Sequence, residues 1–197
     1  MIQLPTPRTE GGISVEEALG RRRSIREYAL RGLTLAEVSQ LLWSGYGVTS
    51  PEGFRTAPSA RALYPLEFHL AAGEVAGLAS GVYRYVSAEH ALRLEREGDV
   101  RRQLAAATFG QDFVGQAAVV LVLTAVYERT REAFQDAGRD YAHMDLGHAG
   151  QNVHLQAVSL RLGTVVVAAF RPAEVRDVLG LPADETPLYL MPIGHPA

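Results

Sequence analysis

With 197 residues, 47% of them apolar, the chain can build one domain with a sizeable core and is too apolar to be disordered. A net charge of −3 argues against a broad nucleic-acid footprint. No apolar run approaches the roughly 20 residues of a membrane span, and no basic-then-apolar leader opens the chain, so a cytoplasmic protein is expected.

Two absences narrow the chemistry. The chain has no cysteine, which removes disulfides, thiolate metal sites and thiol catalysis. It also has no lysine, all 19 basic residues being arginine, which removes Schiff-base chemistry and the Walker-type phosphate lysine.

In chain order, residues 1–13 read as a loose N-terminal segment of a single domain covering 1–197. Ser14 and Glu17 have capping-box spacing, which predicts a short helix ending near Gly20. Thr34 and Glu37 repeat that spacing and open a second helix, with Leu35, Val38, Leu41 and Leu42 on one face and Gly45 and Gly47 closing it. The prolines between 48 and 65 predict a loop. Strands are expected at 66–72, at 82–86 and 91–94 as a hairpin, at 117–126, at 164–169 and at 188–193. Asp99 can cap a helix to Ala107, and Pro172 can open another to Leu179. A long helix over 139–161 is expected to turn Tyr141, Met144, His148, Leu155, Val158 and Leu162 inward. Strands and helices do not alternate regularly and a hairpin lies between them. That pattern predicts an α+β fold with a mostly antiparallel central sheet flanked by helices.

Three segments could carry chemistry. Arg21 to Tyr28 holds four arginines and Ser24, and forked guanidinium donors suit a phosphate. Because the segment follows a helix C-terminus, side chains rather than the helix dipole must hold the anion. Arg55 to Pro65 sets small residues between two prolines, giving a stiff loop that can lie along a flat ring. Leu162 to Phe170 ends on the small pair Ala168-Ala169, which lets a planar group approach backbone N–H donors. Each segment also has an ordinary structural reading: a solvated turn, a connection and a core strand.

Taken together, RRSxRxY, APSAxALYPLEFHL, DLGHAGQNVHLQA, LGTVVVAAF and PLYLMPIGHP occur in an order that resembles the FMN-dependent nitroreductase superfamily, closest to its SagB-type dehydrogenase branch. The resemblance runs from about residue 20 to the end. It implies a nitroreductase-like homodimer with FMN at the subunit interface, reduced by NADH or NADPH. Carried over by position, Arg22, Arg23, Ser24 and Arg26 would hold the phosphate, ribityl chain and pyrimidine edge, with Arg26 near flavin N1 and O2. Pro58, Ser59, Ala60, Arg61 and Leu63 would reach FMN from the partner subunit. Ala168 and Ala169 would face the ring, the Ala169 N–H donating to N5. The resemblance implies hydride transfer through N5 by a ping-pong mechanism with a small-molecule acceptor, and no membrane or nucleic-acid partner.

Three departures stand out. Arg61 occupies a position where glycine is more usual. The chain closes on Gly194-His195-Pro196-Ala197 without the basic residue many relatives place there. Ala133-Phe134 replaces the Lys-Tyr pair of azole-forming SagB-type enzymes, which counts against the alternative of thiazoline or oxazoline oxidation and, with the missing C-terminal basic residue, leaves a non-catalytic flavin-binding or scaffold role as another. No metal site is expected, since His143 and His148 stand about 140° apart around a helix. No GxSxG elbow is present. Asn152 could orient a ribityl group or a loop carbonyl, or be a satisfied buried polar group, and Tyr64 is a candidate pocket donor.

Overall fold

The structure is a computed structural model that describes residues 1–197. Its centre is a seven-stranded sheet in the order β1-β6-β5-β3-β7-β9-β8. The strands are β1 Ile2–Gln3, β3 Leu66–Ala72, β5 Gly81–Val86, β6 Ala91–Glu97, β7 Val119–Val126, β8 Gly163–Thr164 and β9 Glu185–Gly194. Every pairing among them is antiparallel. Two short strands, β2 Leu33–Thr34 and β4 Val75–Ala76, pair separately in parallel.

Alternation along β3 divides the molecule into two layers. Leu66, Phe68 and Leu70 face a core that includes Leu41, Leu42 and Tyr46 of α2 (Leu35–Tyr46) and Leu146 and Val153 of α6 (Ala137–Ser159). On the other face Ala71, Val82, Val120, Val122 and Leu190 pack with Leu104, Val114, Val175 and Leu179. Those residues come from α3 (Arg101–Ala106), α4 (Phe113–Gln116) and α7 (Pro172–Leu179). The α+β architecture expected from the element order is therefore present, with helices on both faces.

The local signals act as the sequence predicts. Ser14 caps α1 (Val15–Arg21) by accepting from the Glu17 N–H, and Thr34 and Glu37 form a reciprocal capping box on α2. Pro172 occupies the first turn of α7, and Gly180, at φ 69°, ends it in the left-handed region. At α3 the capping position falls on Val100 rather than on Asp99, which accepts from the Arg101 N–H from one residue earlier.

Four expectations need correction. The N-terminal residues are not loose. β1 pairs with β6, Leu4 is buried, Ser39 Oγ donates to the Pro5 carbonyl, and Arg8 N–H donates to Gln40 Oε1. Gly45 does not close α2 but lies inside it; an added Cβ would stand 2.6 Å from Phe68 Cε1, so glycine lets α2 settle onto the sheet. The strand expected at 164–169 shrinks to β8 plus one bridge from Val167 to Leu190, because Ala168 and Ala169 leave the sheet into solvent. On α6 the inward stripe is Ala142, Leu146, Ala149, Val153 and Ala157, whereas Met144 and His148 point outward. Small alanines on the buried side and a methionine outside hide the true face from a reading of hydrophobicity.

A polar inlay sits within the second face. His69 Nε2 lies 2.5 Å from Glu185 Oε1 and its Nδ1 lies 3.2 Å from Glu95 Oε2. Thr124 Oγ1 donates to the same Glu185 oxygen, and Arg84 pairs with Glu67. Hydrogen bonds satisfy the buried His69 and Glu185, as burial requires.

Candidate functional site

The arginine segment is fastened to the edge of the sheet. After α1 ends, Ser24 bridges Thr164 in parallel, and the Ile25 N–H donates to the Thr164 carbonyl at 3.0 Å. The Tyr28 hydroxyl donates to the Ile25 and Pro192 carbonyls, and the Ala29 N–H donates to His195 O. Burial raises the Tyr28 pKa well above the usual phenol value, keeping this hydroxyl a donor. Gly163 makes the approach possible, since a Cβ there would stand 2.7 Å from Ile25 Cγ2 and 2.8 Å from Ile25 Cβ. Gly163→Ala is therefore expected to destabilise the fold by about 1–3 kcal/mol through overpacking. A thermal melt coinciding with wild type would disprove that tight contact.

The four residues of this segment differ in freedom. Arg22 is half-buried, and its charge joins burial in depressing the His154 pKa to about 4, leaving that imidazole neutral near pH 7. Arg23 bends back, its Nη1 donating to the Gly20 and Arg22 carbonyls at the end of α1. Ser24 and Arg26 are exposed and, with Ile25, Glu27, Pro196 and Ala197, line an open pocket of ≈ 430 Å³. Two buried polar atoms near this edge, Thr164 Oγ1 and His195 Nε2, have no hydrogen-bond partner.

Along the same ribbon the chain reaches Ala168 and Ala169, both exposed. Three residues separate Thr164 from Ala168, a span of four steps and at most about 13–14 Å of extended chain. The Ala169 carbonyl accepts from Gln111 Nε2 and the Arg171 N–H donates to Ala107 O, which fastens the segment to the connection between α3 and α4. No hydrogen bond within the chain uses the Ala169 N–H. The arginine segment and a small, open backbone stretch thus adjoin the same edge strand, β8.

The third segment lies elsewhere. Pro58 is exposed, and Ser59, Ala60 and Leu63 are half-buried. Arg61, Ala62 and Tyr64 all have positive φ, at 53°, 54° and 48°. Non-glycine residues enter this region only when their surroundings hold them there. Ser59 Oγ accepts from the Tyr64 N–H, the Tyr64 carbonyl accepts from Arg129, and the Tyr64 hydroxyl accepts from the Arg55 N–H. That last bond turns the hydroxyl of Tyr64 toward its own loop. Residues 58–63 contact α5 (Glu128–Phe134), α6 and Tyr64, and no hydrogen bond or ion pair joins them to 22–26 or 163–169. Within one chain, then, the structure joins the first and third sequence-predicted segments and leaves the second apart.

Three further residues pack around this loop. The Arg55 guanidinium stacks 4.2 Å from the Tyr46 ring centre and 4.8 Å from that of Tyr64. Asn152 Nδ2 donates to the Thr56 carbonyl, so its role is to orient a loop carbonyl. Asp145 is buried beneath the loop; burial raises its pKa while the Ser59 hydroxyl and the His148 charge oppose the rise. No three of the chain's His, Asp and Glu side chains gather into a metal-binding group, and no helix is long and apolar enough to cross a membrane.

An antiparallel sheet layered between helices, with arginines at its edge and a long helix bearing an open outer face, defines an α+β protein of a type found across many solved structures. The chain belongs to the nitroreductase family, whose model matches residues 19–195. It is 45% identical over 194 residues to a provisionally named nitroreductase of Methanocaldococcus jannaschii, covering 98% of this chain and 96% of that one. A crystal structure of a provisionally named nitroreductase from Ralstonia eutropha superposes with a TM-score of 0.88 at 32% identity, covering 100% of this chain and 89% of the other. An NADPH-flavin oxidoreductase of Vibrio harveyi is 32% identical over 108 residues, about half of each chain.

Proposed function

We propose that the protein is an FMN-dependent oxidoreductase that works as a homodimer, taking electrons from NADH or NADPH and passing them to a small-molecule acceptor. The observation that carries this reading is the bridge from Ser24 to Thr164, which puts the arginine segment and the open Ala168-Ala169 edge on one ribbon. The donor set suits the cofactor: guanidinium groups and a serine for a phosphate, and an unused backbone N–H beside two alanines for a flat ring.

FMN held by these residues would supply hydride chemistry at its N5, linking a nicotinamide reductant to a second molecule in a ping-pong sequence. In this reading Arg22, Arg23 and Ser24 hold phosphate and ribityl oxygens. Arg26 supplies positive charge beside N1 and O2, and the Ala169 N–H donates to N5. Pro58, Ser59, Ala60, Arg61 and Leu63 close the site from the partner subunit, consistent with their separation from the other two segments within one chain. The outer face of α6 supports the dimer. Met144 is 57% exposed and a Cβ on Gly147 would meet nothing, so a second helix could approach there.

A yellow protein that releases FMN on denaturation, and bleaches anaerobically with NADH or NADPH, is the expected result. A colourless protein that FMN cannot reconstitute overturns the reading. Bound FMN that neither nucleotide reduces would favour the alternative, a flavin-binding or scaffold member. A SagB-type oxidation of thiazolines or oxazolines is the other alternative, and Ala133-Phe134 counts against it.

A further inference from the structure

Arg61, placed above with the loop that closes the site, has two features that closing the site does not require. Its backbone is left-handed, at φ 53° and ψ 23°, a conformation that glycine adopts freely and arginine does not. Its guanidinium is exposed and makes no ion pair or hydrogen bond within the chain. Two neighbouring cations are paired, Arg129 with Glu67 and the Tyr64 carbonyl and Arg131 with Glu128, and Arg139 lies over the Tyr127 ring.

What Arg61 does face is aromatic. Its guanidinium carbon lies 5.9 Å from the centre of the Phe134 ring. Phe134 meets Tyr141 edge to face, with ring centres 4.6 Å apart. Both rings are half-buried and therefore still offer surface. Three elements converge here: the strained loop, the end of α5 and the first turns of α6. A free cation beside two rings set edge to face is a recognition surface for a flat molecule that carries negative charge.

We propose that Arg61, with Phe134 and Tyr141, selects an acceptor that is a planar aromatic or conjugated molecule bearing a carboxylate. The anion pairs with the guanidinium and the flat body lies against the rings. This deepens the FMN reading, on which it rests in calling the ligand an acceptor. It also gives Arg61 a reason to occupy a backbone position that suits glycine.

Calorimetric titration of the FMN-saturated protein with 4-nitrobenzoate and with 4-nitrobenzamide tests it, because the pair differs mainly in charge. Wild type is expected to bind the carboxylate about tenfold more tightly than the amide at low salt, with the gap narrowing as salt rises. Arg61→Gly and Arg61→Asn are both expected to erase the preference. Each tolerates the left-handed backbone, and agreement between them excludes a loosened loop as the cause.

Equal affinities in wild type, or a preference that survives in both variants, overturns the proposal. So does a variant that loses FMN affinity about tenfold while keeping the preference, which would assign the guanidinium to the cofactor phosphate. If the protein stays colourless after incubation with FMN, the cofactor reading fails separately. The same two-ligand titration of that apoprotein, wild type against variants, still decides the role of Arg61.

Discussion

Glu185→Ala is expected to destabilise the fold by about 3–5 kcal/mol, the usual cost of removing one partner from a buried charged pair. Glu185 is 1% exposed and His69 is fully buried, so solvent screens little of the interaction. Burial alone would depress the His69 pKa, but hydrogen bonds to Glu185 and Glu95, with their charges, outweigh it and the net shift is upward. Burial alone would raise Glu185, yet its bonds to His69 and Thr124 and the Arg84 charge bring it below its ordinary value.

These directions fix the pH dependence. A raised histidine contributes fully below its unfolded pKa of about 6.5 and loses that contribution as pH climbs through the folded value. Lowered carboxylates contribute fully above about 4.3 and lose it as pH falls through their folded values. The stability gap between wild type and Glu185→Ala should therefore be widest between about pH 4.5 and 6.5 and narrow on the alkaline side. Urea unfolding at several pH values measures it. A gap under about 1 kcal/mol, or one constant from pH 5 to 9, would show that the inlay is not charged as described.

What the sequence disclosed, and what it hid, follows from the range of each interaction. Capping, the Pro172 helix start and the hairpin depend on neighbours within a few residues, so Ser14, Thr34 and Pro172 could be read directly. The polar inlay joins His69 to a residue 116 positions away, and no local spacing announces it. The buried face of α6 was misread because alanines carry the contact, while the larger Met144 and His148 lie outside.

β9 begins at Glu185 rather than at 188. A register shift between Leu123 and Thr124 admits Pro187 into the ladder, and proline in a run otherwise signals a strand end. The candidate site was legible as motif order, because the three segments keep their sequence. Their division into a joined pair and a separate loop was not, since it depends on the Ser24–Thr164 bridge and on the contacts of α5 and α6.

Within the arginine segment the structure ranks residues that composition treats alike, and substitution should reveal that ranking. Arg26→Ala is expected to weaken FMN binding by about 10- to 100-fold, the range for losing a charge-assisted contact. It should also lower the reduction potential, because a cation beside the reduced ring stabilises its negative charge more than it stabilises the oxidised form. For a two-electron couple, each tenfold loss of that preference corresponds to about 30 mV.

Arg26→Lys should recover much of the potential but less of the affinity, since lysine keeps the charge without the planar fork. Arg23→Ala should do less to FMN than Arg26→Ala, because Arg23 already donates to the Gly20 and Arg22 carbonyls. Fluorescence titration of apoprotein with FMN and anaerobic potentiometry give the two readouts. If Arg23→Ala matches or exceeds Arg26→Ala in both, the segment binds by net charge alone, and the folded positions of these side chains do not direct it.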